Sequence, residues 1–181
     1  MISILQTSIP AEDAVLRTIS LPVEENLFDT LELREMLIDM EEALDAEANG
    51  VALAAPQIGL LHRIFIVRYD RMLPPSTHEE DVEPVPQVGV FINPSIIRTS
   101  QRKLEVDEGC LSVHTHFGKT KRYERATVRA QDEHGAWFER GGGGILAQAY
   151  QHEIDHLNGM LFIDHATNIV TAEAHRARHD D

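Results

Sequence analysis

Residues 145–157, ILAQAYQHEIDHL, read as a helix whose apolar positions (Ile145, Leu146, Ala149, Ile154 and Leu157) leave it largely buried. The same stretch carries Glu153, Asp155, His152 and His156. Ionisable groups in a buried helix are costly unless they are paired or hold a metal. A chain containing this helix must therefore both bury it and supply partners for its polar face. The His-Glu-x-x-His spacing puts both imidazoles on one face, about one turn apart, where they can grip one ion. Taken alone, the motif also arises by chance on polar helix faces.

The rest of the pattern surrounds this helix with strands. Residues 25–48 carry Leu33, Met36, Leu37, Met40 and Leu44 at helical spacing, with a stop at Asn49-Gly50, and predict a first long helix. VALAAPQIG (51–59) is too small in its side chains and too Pro-interrupted for a helix. HRIFIVR (62–68), VGVFINP (88–94), Ile96-Ile97, KLEV (103–106) and ATVRAQ (126–131) read as strands, with DEHG (132–135) as a turn. MLPPSTHEEDVEPVPQ (72–87) reads as a long exposed loop. GGGG (141–144) lacks the Gly-Lys-Ser/Thr ending of a phosphate loop and reads as a flexible lead into the helix. HRARHDD (175–181) reads as a frayed helix end with solvated charge. The fold class is α+β, not alternating βαβ. We expect antiparallel sheets packed around a central C-terminal HExxH helix, with an N-terminal helix. One domain should span residues 1–181, those beyond about 165 forming a short tail.

At 181 residues and 43% hydrophobic, the chain can bury a proper core. A formal charge of −14 argues against a nonspecific grip on nucleic acid or anionic lipid. No apolar run approaches membrane-spanning length, and MISILQTSIPAED lacks the basic flank and apolar stretch of a secretory signal. Cys110 is the sole cysteine, so no internal disulfide can form, which fits a reducing compartment. We expect a cytoplasmic protein.

A catalytic metal site usually has three protein ligands and an open position, so HExxH needs a third donor. The HExxHxxGxxH completion fails, because Gly159 is in place but Phe162 stands where the third His belongs. Asp164, His165 and Glu173 lie downstream without supporting context. Cys110, in DEGCLS (107–112), would as thiolate be a strong ligand for Zn or Fe(II). Two other readings of it stand: a small buried hydrophobe, or a nucleophile with His152 or His156 as base. The presence of HExxH favours the metal reading.

Three segments in this order, GVALAAPQIG (50–59), EGCLS (108–112) and QHEIDHLNG (151–159), resemble the peptide deformylase family. Milder features agree: VLR (15–17), FINP (91–94) and KRYERATVRAQDEHG. The resemblance covers roughly residues 1–165. It implies a metallohydrolase that removes the formyl group from the N-terminal methionine of nascent peptides, releasing formate. It implies Cys110, His152 and His156 as ligands to one divalent ion, Fe(II) in the cell, with Zn, Ni or Co acceptable to the same donors. Glu153 would take a proton from water acidified by the ion. The resulting hydroxide attacks the formyl carbonyl. The Gln57 amide and the Leu111 backbone N–H would steady the oxyanion. The substrate would lie along an exposed strand edge, touching Val51, Ala52, Gly109, Ile145, Gln148 and Ala149. From the residues themselves, two readings stand for each neighbouring acid: Glu108 pairs with Arg122 or both are ordinary surface charges, and Asp155 holds a histidine ring or is a helix-surface acid. Transient contact with the ribosome is a further implication.

The chain departs from the family pattern in places. Ala52 stands where a second Gly is usual, and its methyl should narrow the cleft. His114 replaces a Pro within VHTHFG, and Gln148 replaces an apolar pocket residue. A small HExxH zinc peptidase remains an alternative, with Cys110 dispensable. So does a deformylase-like protein that binds N-termini without turnover.

Overall fold

The computed structural model describes residues 2–72 and 88–177. Apart from Met72, the loop expected at 72–87 lies outside the described residues. In chain order the elements are α1 (Pro10–Leu16), α2 (Leu31–Asp45), β1 (Ala52–Ala54), β2 (Ile64–Arg68), α3 (Tyr69–Met72), β3 (Val88–Thr99), β4 (Lys103–Gly109), β5 (His116–Tyr123), β6 (Arg125–Gln131), β7 (Trp137–Gly143), α4 (Gly144–Leu157), β8 (Thr167–Thr171) and α5 (Ala172–Ala177). One sheet runs β1-β2-β3-β6-β7 and the other β4-β5-β8, all pairs antiparallel. The expected α+β arrangement, with antiparallel sheets around the HExxH helix, is the one observed.

Strand periodicity explains how the larger sheet is buried on both faces. Successive side chains point to opposite sides. Ile64 and Ile66 join Leu33, Leu37, Met40 and Leu44 of α2 in one cluster. Phe65 and Val67 join Tyr150, Ile154 and Leu157 of α4 in the other. Phe65 stacks on Phe91 with ring centroids 4.5 Å apart. The helix predicted over 25–48 begins later, at Leu31. Asp29 takes a left-handed backbone (φ 59) and breaks the run, and the Thr30 hydroxyl caps α2 by accepting from Leu33 N at 3.2 Å.

Several local expectations are corrected. VGVFINP and Ile96-Ile97 form one strand, bent by register shifts near Asn93, whose φ is 50. Asn93 satisfies the bend by bonding both Val23 N (2.8 Å) and Val23 O (3.0 Å). Gly141–143 of GGGG are no flexible lead. They end β7, facing Thr127, Ala126 and Arg125 of β6, because ladder hydrogen bonds outweigh glycine's weak strand preference. Ile145 is 50% exposed rather than buried. The residues beyond 165 are more than a tail: β8 pairs with β5, and His175 of α5 stacks on Phe117 with centroids 4.3 Å apart. Residues 178–181 of the expected frayed end lie outside the described residues.

The C-terminus of α4 is held in place by its neighbours. Ser20 N donates to Leu157 O at 3.0 Å, and Arg63 Nη1 reaches Leu157 O (3.2 Å) and Asn158 Oδ1 (2.9 Å). Gly159 then turns the chain with φ +71, and a Cβ there would sit 2.4 Å from the Arg17 carbonyl oxygen. That contact is with backbone and cannot be relieved by a rotamer change. Gly159→Ala should therefore lower stability by about 2 kcal/mol or more, from left-handed strain plus the clash. Urea denaturation of the two proteins measures it, and an unchanged midpoint would show that the backbone here yields freely.

Candidate metal centre

α4 brings His152 and His156 to one face, and the end of β4 brings Cys110 to meet them. One donor atom from each of the three lies within 4.8 Å of the others. Cys110 Sγ is 3.2 Å from His156 Nε2. A tetrahedral ion with ligand bonds of about 2.0–2.3 Å needs donors roughly 3.3–3.8 Å apart, so the Cys110–His156 pair sits slightly closer than an ion would hold it and need open only a little to take one. Of the third-ligand candidates weighed from sequence, Asp164 is engaged elsewhere, pairing with Arg17 at 3.0 Å and accepting from Leu161 N at 2.9 Å. His165 faces Asp155 at 3.5 Å, and Glu173 is exposed.

The orientation of His152 comes from Glu108. Its Nδ1 lies 2.5 Å from Glu108 Oε1, which leaves Nε2 for the centre. This is the carboxylate–histidine–metal arrangement that sets ring tautomer and tilt. Glu108 is itself buried, accepting from Arg122 Nε (2.9 Å), Arg122 Nη2 (2.6 Å) and Thr120 Oγ1 (2.5 Å). The expected Glu108–Arg122 pair is present. Asp155 does not hold a ring of the centre; it accepts from Arg122 Nη1 at 2.6 Å.

Burial alone would raise the Glu108 carboxyl, but the hydrogen bonds and charges of Arg122 and His152 hold it well below the usual carboxylate range. Burial likewise opposes protonation of His152, yet its contacts with Cys110 and Glu108 raise it well above an ordinary imidazole. His156 goes the other way, lowered by burial and by the charge of His152. A cation taking a ring nitrogen from each would replace the proton there. Glu153 is pushed up to about 7, chiefly by burial, with Glu108 and Asp155 adding to the rise and His152 and Arg122 opposing it. Its Oε2 has no protein partner among the described residues, as expected of a group that faces reactants.

Gln57, only 1% exposed, is fixed by accepting from Ala54 N at 2.8 Å. Its Nε2 is thereby aimed at Ser112 Oγ (3.2 Å) and Cys110 Sγ (3.6 Å). The Cys110–Leu111 peptide, which carries the Leu111 N–H, is oriented by Val113 N donating to Cys110 O at 3.0 Å. The Leu111 carbonyl accepts from Gln6 Nε2 at 2.9 Å. Sequence reasoning did not single out Gln6, Ser112 or Thr120. Ser112 lies inside EGCLS and was within reach of a closer reading, but nothing local marks the other two.

Gln57, Cys110, Leu111, His152 and Glu153 line a cleft of about 970 Å³, together with all six expected substrate-contact residues. Its flanks are β1 and β4, each an edge strand of its own sheet. Ala52 is 7% exposed, its methyl shared between the cleft lining and the core beside Ala149. His114 and His116 reach the cavity rim and not the metal centre.

A metal-dependent hydrolase is the class that this fold and centre point to. Known proteins narrow it further. The sequence profile of the polypeptide deformylase family matches residues 5–172. Peptide deformylase 2 of Clostridium acetobutylicum is 37% identical over 160 residues, covering 88% of this chain and 94% of its own. The peptide deformylase of Rhizorhabdus wittichii is 40% identical over 161 residues, covering 88% and 85%. Among solved structures, a peptide deformylase from Legionella pneumophila superposes with a TM-score of 0.73 at 35% identity, covering 97% of this chain and 90% of its own. The class I type b enzyme of Acinetobacter baumannii with Met-Ala-Ser bound gives 0.74 at 30% identity, covering 91% and 98%. The chain belongs to the polypeptide deformylase family. It is a metal-dependent enzyme of that class, whose members act on formylated peptides.

Breaking a buried, fully bonded ion pair from one side leaves the partner charge stranded. Glu108→Ala should cost on the order of 3–5 kcal/mol, since Arg122 keeps its place between β5 and α4 without its main counterion. Chemical denaturation of metal-free protein gives the number. A loss below about 1 kcal/mol would mean that Arg122 relaxes to solvent.

Proposed function

We propose that the cleft removes the formyl group from peptides beginning with formyl-methionine, as a single catalytic unit over residues 1–181. The observation that carries this is the buried Glu153 beside a thiol and two imidazoles, set between two edge strands. Cys110, His152 and His156 would hold a divalent ion, which would supply a Lewis acid able to lower the pKa of a water toward about 7 and to polarise a carbonyl. Glu153 accepts the proton of the attacking water and returns it to the amine nitrogen as the C–N bond breaks. Burial, which makes its charged form costly, suits it to holding a proton at neutral pH. Gln57 Nε2 and the Leu111 N–H donate to the oxyanion, both in orientations fixed before substrate arrives.

The peptide adds as a strand between β1 and β4, with Gly109 meeting its main chain. Val51, Ile145 and Ala149 give the methionine side chain an apolar wall, while Ala52 and Gln148 trim the space. The Met-Ala-Ser bound to the Acinetobacter relative begins with methionine, in keeping with that pocket. Fe(II) is the working ion, with Zn, Ni or Co accepted, because one thiolate and two imidazoles discriminate weakly among these. Nascent chains as substrate place the enzyme in the cytoplasm, in transient contact with the ribosome.

The test is anaerobic purification with metal analysis, then formate release from formyl-Met-Ala. Cys110→Ser exchanges a soft thiolate for a poor neutral oxygen and should strongly weaken metal binding; a full metal equivalent at unchanged affinity would put the third ligand elsewhere. Glu153→Ala should keep the metal and lose turnover by about a hundredfold or more. Formate release at the wild-type rate would remove Glu153 from the mechanism.

A further inference from the structure

Gln148 lies one helical turn before His152, half-buried at the cleft. Its Nε2 donates to the Asp107 carbonyl at 2.8 Å. That bond reveals which way β4 faces. In the β4–β5 ladder Asp107 stands opposite Lys119, Glu108 opposite Gly118 and Gly109 opposite Phe117. Along an antiparallel strand, the main-chain N–H and C=O of alternate residues point to the same side. The Asp107 carbonyl is turned toward α4, away from β5. Gly109, two residues on, therefore presents its main-chain groups to the cleft, while Glu108 turns to Gly118. The edge of β4 on that side thus carries Gly109, beside Cys110, and after it Asp107. Gln148 already engages the Asp107 carbonyl.

We propose that Gln148 is a specificity-determining residue that ends the peptide-pairing edge of β4 at Gly109. The inference rests on the reading above, in which a formylated peptide adds to β4 as a strand. A strand paired at Gly109 meets its next pairing position two residues further on, at Asp107. There its N–H finds a carbonyl already bonded to an amide, and the Gln148 side chain stands in the space the peptide would fill. The enzyme grips the main chain of the first few residues and gains nothing from those beyond. Formylated chains that share their first few residues are then bound alike, whatever follows.

The test compares KM for formate release from formyl-Met-Ala-Ser and formyl-Met-Ala-Ser-Ala-Ser, within each of three enzymes: wild type, Gln148→Leu and Gln148→Met. Neither replacement can donate to Asp107, and Met keeps the length of Gln. Comparing the two peptides within one enzyme cancels any change made to the methionine pocket. The expected result is an equal KM for both peptides in the wild type. In both variants the longer peptide should have a KM roughly three- to tenfold lower, the worth of about one net hydrogen bond. Variants with the same ratio as the wild type would overturn the inference, as would a wild type that gains with length as much as they do. A wild type that releases no formate from either peptide would overturn the functional reading, and this inference with it.

Discussion

The carboxylate of Glu108 ties the metal centre to the rest of the fold. It is a charge taken out of water, and such a charge persists only where hydrogen bonds replace what hydration supplied. Three partners do so: Thr120 and Arg122 from β5, and His152 from α4. Arg122 then continues to Asp155, also on α4. The network joins the three-stranded sheet to the helix that the five-stranded sheet buries. The distance from Cys110 to the two histidines is consequently set by a rigid ionic junction and not by a loop.

Around that junction the two sheets leave complementary edges. β1 and β4 both end their sheets at the cleft, so on that side no strand among the described residues pairs with either. Edge strands invite pairing with other chains, a hazard for most proteins. Here both edges border the cleft that Gln57, Cys110, His152 and Glu153 line, which suits them to the strand pairing proposed for the substrate. The engagement of Asp107 by Gln148 limits how much of the β4 edge is on offer.

Much of the centre was legible in the sequence because its signals are local or singular. His152, Glu153 and His156 share one helical turn, and Cys110 has no other cysteine to compete with it. The core of α2 was legible for the same reason: Leu33, Leu37, Met40 and Leu44 repeat at helical spacing and are all buried. What was missed depended on partners far along the chain. β5 reads HFGKTKRY, too polar to stand out, and is a strand because β4 and β8 pair with it on either side. Gly141–143 lie in a strand because β6 holds them there. From sequence the ring-holding role fell to Asp155, inside HExxH, while Glu108 was given only Arg122 as partner. Only packing shows that Glu108 reaches the His152 ring while Asp155 faces Arg122.

The sequence by itself determined the helix with its two imidazoles and the carboxylate between them, and the α+β class, because each is written in the spacing of neighbouring residues; the thiol joined them only through the resemblance of EGCLS to the family. The tertiary structure decided the rest: which acid orients His152, where residues 167–177 pack, and how far the β4 edge stays open. Those outcomes turn on contacts such as Gln148 to Asp107, 41 residues apart. Hydrogen bonds and buried charges select partners by distance and direction in space, and no spacing along the chain encodes either.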